Sequence, residues 1–269
     1  MISEKIELIG KGVYKNIPDE LTIGAIPTAS ELDYVSAEDF EGVMLDKILP
    51  KAVEEDINFH DLLEIDYQWI TRCLRFVNYG PYFTTNQVIC PKCGRIQGEA
   101  RVDLRTIGVK VLPDKFVNDI KISKNEFLDF NKDIHIKLPT IQQMLNCCKD
   151  KMFISPDGKL NRAFARACYM ITQIGNEKGI TPVQAKMTIE KEMSSADYKI
   201  FLELVSELTD YGLRAAGMCE CPQCHSQSIF IALADDKFFR PTLGDLRAGR
   251  NDRSARGAKN IPASETATV

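Results

Sequence analysis

The chain has 269 residues, of which 44% are hydrophobic and 27% are charged, so it can bury a sizeable core without disulfides. Its formal net charge of -4 argues against general nucleic-acid binding, for which a basic domain is expected. The first residues lack the apolar run of a secretory signal, and no segment reaches the roughly 18 apolar residues of a membrane span. We therefore expect synthesis in a cytoplasm and no membrane-spanning helix.

The N-terminal residues 1–27 are predicted to form a β-arm. Two short apolar runs, "KIELIG" and "LTIGAI", flank a stretch in which Gly12, Pro18 and Asp19 favour turns. A β-hairpin fits this order of elements, and an irregular arm is the alternative.

Two helices are predicted next. The first begins at a capping box formed by Thr28 and Glu31, and it ends or kinks at Pro50. The second covers roughly residues 62–78. One face of this second helix is formed by Asp66, Ile70, Cys73, Leu74 and Val77, with Trp69 beside them.

Residues 31–66 carry a strong negative charge. Twelve acidic residues stand against two lysines in this stretch, a balance of -10. The pattern favours solvated helix faces. The alternative is an electrostatic docking surface for a basic partner.

Residues 82–137 are predicted to form strands, because they are rich in Val, Ile and Thr and several runs alternate between apolar and polar side chains. In the last of these strands, Ile134, Ile136 and Leu138 share one side, and Asp133, His135 and Lys137 share the other. This alternation indicates a half-exposed strand.

Residues 139–216 are predicted to form four helices in a bundle-like lobe. Thr140 begins the first, and a capping box at Thr181 and Gln184 begins the third. Between them, a single helix over 159–175 is expected to end at Gly175. Its apolar stripe consists of Leu160, Phe164, Cys168 and Ile171.

The last residues, 247–269, have five Arg or Lys and two acidic residues, with almost no large apolar side chain. This composition predicts a flexible basic tail. Such a tail either folds against a partner or serves only to keep the protein soluble.

Nine cysteines are many for a chain expected in a reducing compartment, where structural disulfides are disfavoured. Two Cys-Pro-x-Cys turns stand out, at 90–93 and at 221–224. Each turn directs two thiolates into one space, which is half of a tetrahedral zinc site. We therefore predict one structural zinc ion bound by Cys90, Cys93, Cys221 and Cys224, although 127 residues separate Cys93 from Cys221.

Other residues near these turns leave alternatives open. Cys219 is a candidate alternative ligand or a residue that supports the ligands, and His225 also lies next to the second turn. Cys147 and Cys148 are adjacent, so in a helix they point about 100° apart and make a poor pair of metal ligands. They are predicted to be core thiols instead. Cys73 and Cys168 lie among apolar helical residues and are predicted to belong to the core.

The predicted site is closed by four thiolates, whereas a catalytic zinc usually keeps one open position. The chain has three histidines, and none stands in an H-x-x-x-H or H-x-E pattern. Phosphate-binding and nucleophile motifs of the Walker, GxGxxG and GxSxG kinds are also missing from the sequence. We therefore expect no enzymatic activity and no small-molecule substrate.

The predicted fold class is α+β. A zinc-ribbon-like β module is closed by the two distant Cys-Pro-x-Cys turns, and it carries N-terminal helices and an inserted α-helical lobe. The predicted boundaries are 1–27 for the β-arm, 28–137 plus 217–246 for the zinc-bound α+β domain, 138–216 for the inserted lobe and 247–269 for the tail.

One long stretch resembles a known family. A helix that ends in Leu-Arg-x-x-x-Tyr-Gly at 74–80 precedes "CPKCG" by about ten residues, and an Asp-Leu strand follows. Later, "CECPQCHSQSIFIALADDKFFRP" joins the second turn, an alternating strand and a Phe-Phe end. Over residues 26–125 and 217–243, this pattern resembles baseplate proteins of T4-type phages with contractile tails, in particular the hub-assembly family.

The resemblance implies a structural or assembly role in the phage tail baseplate, with other tail and baseplate proteins as partners. It implies a place in the virion after synthesis in the host cytoplasm, and an oligomer within a larger assembly is compatible with it. The alternative is a zinc-ribbon accessory factor associated with nucleic acid, because residues 91–125 hold eight Lys or Arg against four acids. The acidic residues 31–66 argue against that alternative.

Overall fold

The structure is a computed structural model. It describes residues 3–35, 37, 39–90, 92–94, 96–154, 159–214, 216–221, 223–231 and 245–248, with the backbone alone at 32, 35, 85–89, 96–102, 216–220 and 227–231. Two compact units divide the chain. We call the first the cysteine unit (Met1–Phe59, Gln68–Leu112 and Tyr211–Val269) and the second the inserted unit (His60–Tyr67 and Pro113–Asp210).

The cysteine unit begins with the predicted N-terminal hairpin. Strands β1 (Glu4–Glu7) and β2 (Glu20–Ile23) pair antiparallel, with Glu4 opposite Ile23. Their inward side chains, Ile6, Leu21 and Ile23, are buried. The hairpin is therefore part of a core and not only an arm.

A broken helical segment follows. It consists of α1 (Thr28–Val35), α2 (Phe40–Val43), a π-helical turn (Met44–Ile48) and α3 (Leu49–Ala52). In the π-helical turn, the N–H of Leu49 donates to the carbonyl of Met44. Pro50 follows at once and has no N–H to donate, which accounts for the irregular helix at this point.

Helix α1 does not begin with the capping box predicted at Thr28 and Glu31. The carbonyl of Pro27 accepts bonds from the N–H groups of Ser30 and Glu31, so the first turn is satisfied by the backbone. The Glu31 carboxylate instead accepts a 2.6 Å bond from the Tyr79 hydroxyl. The predicted acidic stretch is thus partly used for internal contacts, because Glu55 also accepts bonds from the N–H and hydroxyl of Thr22.

The long helix α4 (Glu64–Tyr79) matches the prediction for residues 62–78. Its predicted buried face is confirmed, since Asp66, Ile70, Cys73, Leu74, Val77 and Trp69 are all buried. After it come β3 (Tyr82–Ile89), β4 (Ile96–Asp103) and the short β5 (Val109–Lys110). Strands β3 and β4 form an antiparallel hairpin in which Tyr82 is opposite Asp103.

The inserted unit contains a sheet as well as helices. Its elements are β6 (Ile120–Ile122), β7 (Ile134–Ile136), α5 (Ile141–Lys149), α6 (Arg162–Met170), β8 (Ile171–Ile174), β9 (Glu177–Lys178), α7 (Pro182–Glu192) and α8 (Ser195–Leu208). The four strands form one antiparallel sheet in the order β6-β7-β8-β9. The four helices predicted for the lobe are present as α5 to α8, but Ile171–Ile174 and Glu177–Lys178 form strands, so the prediction of a purely helical lobe is wrong.

The missed strand β8 explains this error. A single helix was expected over 159–175, but α6 ends at Met170 and Ile171–Ile174 pair with β7. The β-branched residues Ile171, Thr172 and Ile174 suit a strand. Gly175, with φ of +57°, then forms the turn into β9 and does not cap a helix.

Because β6 pairs with β7 and β7 pairs with β8, both strands belong to the inserted unit, whose longer segment runs from Pro113 to Asp210 and not over the predicted residues 138–216. The predicted side of the 134–138 strand is confirmed: Ile134, Ile136 and Leu138 are buried. Ile134 and Ile136 join an apolar core that includes Phe130, Phe164, Cys168, Ile171, Phe201 and Val205. The capping boxes at Thr140 and at Thr181 are both present.

The chain returns to the cysteine unit through β10 (Gly212–Leu213), β11 (Ala216–Glu220) and β12 (Gln227–Ile231). Strand β10 pairs with β5, so the two ends of the insertion meet in the cysteine unit. Strands β11 and β12 form a hairpin, and β11 lies against β4. The result is a mixed α/β protein with several small sheets. Most of the predicted tail, 249–269, lies outside the described residues.

Candidate metal centre

Each predicted cysteine turn lies at the end of a β-hairpin. Cys90 follows β3 directly and β4 begins shortly after Cys93, while Cys221 and Cys224 lie between β11 and β12. The contact between β4 and β11 places the two hairpins side by side. The fold therefore brings two distant segments of the chain to one place.

The two turns have the same backbone geometry. The N–H of Gly94 donates to the carbonyl of Cys90 at 2.9 Å, and the N–H of His225 donates to the carbonyl of Cys221 at 2.8 Å. Both donors have left-handed backbones, with φ of +68° at Gly94 and +53° at His225. Glycine adopts this conformation freely, whereas histidine does so less easily. His225 thus occupies the position in the second turn that Gly94 occupies in the first.

The four predicted ligands form a compact group, which we call the four-cysteine cluster: Cys90, Cys93, Cys221 and Cys224. Their Sγ atoms all lie within 4.8 Å of one another. Across the two turns, Cys90 Sγ is 3.7 Å from Cys224 Sγ and Cys93 Sγ is 3.8 Å from Cys221 Sγ. The cluster is close enough to bind a metal ion.

Hydrogen bonds favour the thiolate form within the cluster. The Ser226 hydroxyl, followed by the backbone N–H groups of Cys93 and Lys92, lowers the pKa of Cys90 to about 6. The backbone N–H groups of Cys224 and Gln223 likewise lower the pKa of Cys221. Because a thiolate is the form that binds metal, these bonds prepare the cluster for a cation.

Ser226 was not singled out from the sequence. Its Oγ lies 3.4 Å from Cys90 Sγ and 3.2 Å from Cys224 Sγ. A polar residue two positions after a cysteine turn is the only signal that could have suggested it, and many loops carry one.

The structure bears on one of the two alternative ligands, His225, and leaves the other, Cys219, open. Among the described residues, the group that could hold a metal contains the four cysteines and does not contain His225. The side chain of Cys219 lies outside the described residues. Within the described part of the chain, the four sulfurs predicted first therefore form the candidate metal-binding group.

The other described cysteines lie apart from the cluster. Cys73, Cys147 and Cys168 are buried, as predicted, and burial raises the pKa of Cys73 to about 12 and that of Cys147 to about 11. Burial also raises the pKa of Cys168. The prediction of a core position for Cys148 is wrong, because it is exposed. Adjacent residues of α5 point about 100° apart, so only Cys147 faces the core.

Two arginines of helix α4 bind the open end of the β3–β4 hairpin, where the chain enters β3 and leaves β4. Arg75 is fully buried, and its guanidinium donates to the carbonyls of Gly80 and Tyr82 at 3.2 and 2.7 Å, where the chain enters β3. Arg72 donates two bonds to the carbonyl of Leu104, just after β4. The Leu-Arg-x-x-x-Tyr-Gly pattern therefore builds the connection from helix to hairpin.

A residue near the C-terminus completes this connection. Asp245 is buried and accepts a 2.6 Å bond from the Thr84 hydroxyl in β3. Burial lowers the pKa of Arg75 to about 10, and the charge of Asp245 opposes that change. Sequence patterns gave no sign of this pairing, because 170 positions separate the two residues (245 minus 75).

Comparison of the chain with known protein families, curated protein sequences and solved structures finds no match. Among the described residues, no helix is both long and apolar enough to cross a membrane.

Proposed function

We propose that the four-cysteine cluster binds one zinc ion in a structural role. The observation that carries this proposal is the pair of cross-turn Sγ separations, 3.7 and 3.8 Å. A tetrahedral ion with Zn–S bonds of about 2.3 Å holds its sulfurs about 3.8 Å apart. The two cross-turn separations therefore match those of a tetrahedral zinc site, and all four sulfurs lie within 4.8 Å of one another.

The donor set supports zinc and a closed site. Tetrahedral sites of four thiolates are typical of zinc and of iron–sulfur chemistry. Four protein ligands leave no position at which a substrate or an activated water would bind. The ion instead joins the β3–β4 and β11–β12 hairpins, which supports a role in folding.

The metal part of the proposal is tested on the purified full-length chain. Elemental analysis is expected to give one zinc per chain and native mass spectrometry the matching mass. A colourless protein is consistent with zinc, whereas strong visible absorption would identify the bound metal as thiolate-bound iron. A folded chain that contains no metal would contradict the proposal.

We further propose a non-enzymatic role for the chain in the baseplate of a contractile-tail phage, as a structural or assembly protein. This proposal rests on the resemblance of residues 26–125 and 217–243 to that family. The residues that carry the resemblance lie where helix α4 meets the first hairpin. Arg75, Tyr79 and Gly80 form the connection to β3, and Arg75 stacks over the Tyr79 ring with 5.0 Å between its guanidinium carbon and the ring centroid. Asp33, Glu41 and Asp46 are exposed, and Asp33 is paired with Lys47 at 3.4 Å. In this proposal, the exposed acidic residues of the first helices bind a basic partner.

This role is tested in purified phage particles. Mass spectrometry is expected to find the protein in the tail fraction, with chemical cross-links to baseplate neighbours. Presence in the lysate but absence from finished particles would convert the proposal into that of a transient assembly factor. Binding to DNA or RNA that weakens steeply with salt would favour the nucleic-acid alternative instead.

A further inference from the structure

The four cysteine residues of the cluster differ in their exposure to solvent. Cys90 and Cys221 are 0% exposed, and Cys224 is half-buried. Cys93, in contrast, is exposed. A reagent that arrives from solvent therefore meets Cys93 first.

The sulfurs also differ in their hydrogen bonding. The Ser226 hydroxyl lies beside Cys90 Sγ and Cys224 Sγ, which form one of the two cross-turn pairs. A hydroxyl that donates to a thiolate withdraws electron density from the sulfur and covers one side of it. The one proton of the Ser226 hydroxyl can be donated to either sulfur of the Cys90–Cys224 pair, and among the described residues this hydroxyl makes no such contact with the Cys93–Cys221 pair.

We propose that Cys93 is an oxidative modification site for peroxides and that Cys221 is its disulfide partner. The inference rests on the proposed metal-bound state, in which the cysteines are thiolates. Cys221 Sγ is 3.8 Å from Cys93 Sγ. A disulfide needs about 2.05 Å between the sulfurs, so the pair has to close by less than about 2 Å.

The reaction has two steps. In the first, the Cys93 thiolate attacks a peroxide oxygen, the O–O bond breaks and hydroxide leaves, so that Cys93 becomes a sulfenic acid. In the second, the Cys221 thiolate attacks that sulfur, the S–O bond breaks and a second hydroxide leaves. The two sulfurs supply the two electrons that reduce the peroxide. The metal loses two of its four ligands and is released.

The product keeps the two hairpins joined. A Cys93–Cys221 disulfide connects the same two turns as the metal does, whereas a disulfide within either turn would connect nothing new. The cluster can thus hold the hairpins together by metal in a reducing compartment and by a covalent bond in an oxidising one.

The test uses the full-length, zinc-loaded chain and less than one equivalent of hydrogen peroxide. A chromogenic chelator follows zinc release, and peptide mass spectrometry without reduction identifies the disulfides. One zinc is expected for each peroxide consumed, with the Cys93–Cys221 peptide as the main product. A dominant Cys90–Cys93, Cys221–Cys224 or Cys219-containing peptide would overturn the inference.

The role of Ser226 is tested with Ser226→Ala and, as the conservative variant, Ser226→Thr. Loss of the hydroxyl is expected to add a Cys90–Cys224 disulfide to the products and to weaken zinc affinity about tenfold. The threonine variant is expected to give the products and the zinc affinity of the parent. Identical disulfide products and zinc affinities in the parent and the two variants would show that Ser226 affects neither oxidation nor zinc binding.

Cys148→Ser is the matched control, because it removes an exposed thiol outside the cluster. Its zinc release should equal that of the parent, and slower release would mean that oxidation starts at Cys148. The two proposals fail in different ways. A chain without zinc contradicts the proposed function, whereas a zinc-loaded chain that forms other disulfides contradicts only this inference.

Discussion

Cys93 Sγ lies 3.8 Å from Cys221 Sγ, although 127 residues separate the two cysteines in the chain. The pairing of β5 with β10 explains how this approach is possible, because it already brings Lys110 and Gly212 together. The cluster therefore does not have to close the 127-residue loop between Cys93 and Cys221 by itself, so the entropic cost of assembling the cluster is lower.

Removal of one cluster sulfur is expected to unfold the cysteine unit. Cys93→Ser should lose bound zinc and solubility together, because structural zinc contributes about 10 kcal/mol or more of apparent binding free energy at neutral pH. Zinc content and the circular-dichroism melting curve check this expectation. Cys148→Ser should keep both at the parent level. A soluble, folded Cys93→Ser protein without metal would show that the cluster does not hold the fold.

Asp245 is expected to be essential although it lies near the C-terminus. Asp245→Asn removes the charge that opposes burial of the Arg75 guanidinium, and loss of one partner of a buried charge pair costs about 3–5 kcal/mol. Urea unfolding measures the change. Arg247→Ala, at an exposed position of the same short segment, should stay close to the parent. Equal stability of the two variants would argue against the Arg75–Asp245 interaction.

The buried Asp197 should make the inserted unit sensitive to acid. Burial raises the pKa of its carboxyl, but the backbone N–H groups of Leu128, Asp129 and Phe130 bind the carboxylate at 2.6, 3.1 and 3.0 Å, and the net pKa lies below its ordinary value of 3.8. The carboxylate therefore stabilises the fold above pH 3.8, and this contribution is lost as the pH falls through the lowered pKa.

Asp197→Asn tests this contact. In the variant, the amide NH2 group takes the place of one carboxylate oxygen and cannot accept a bond from the backbone N–H groups. We expect the melting temperature at pH 7 to fall by about 5 °C or more. The difference from the parent should shrink in melts below about pH 4. Asp129→Asn is the control, since its side chain is exposed in the same loop. A difference between Asp197→Asn and the parent that is independent of pH would contradict the assignment.

The neighbouring thiols Cys147 and Cys148 should react very differently. Burial raises the pKa of Cys147 to about 11, whereas Cys148 is exposed. In the native protein at pH 8, iodoacetamide is expected to modify Cys148 and to leave Cys73, Cys147 and Cys168 intact until a denaturant is added. Peptide mass spectrometry reads the sites. Equal labelling of Cys147 and Cys148 would mean that α5 does not bury Cys147.

The features that the sequence predicted well are local and periodic. The buried face of α4, the helix start at Thr140, the capping box at Thr181 and the two cysteine turns each depend on residues within a few positions of one another. Such patterns report backbone geometry directly. The grouping of the two turns was also predictable, because half of a tetrahedral site needs the other half.

The features that were missed depend on contacts between distant residues. The stripe from Leu160 to Ile171 fits a helix, and only the pairing of β8 with β7 turns Ile171–Ile174 into a strand. Ser226 and Asp245 are ordinary polar residues in the sequence. Their partners, Cys90 and Thr84, come close only when the β3–β4 hairpin is in place.

X-ray absorption spectroscopy at the zinc edge of the purified full-length protein tests the central claim most directly. The account predicts four sulfur ligands at about 2.3 Å and no oxygen or nitrogen ligand. A first shell that contains nitrogen or oxygen, or fewer than four sulfurs, would contradict the proposal that Cys90, Cys93, Cys221 and Cys224 close the site.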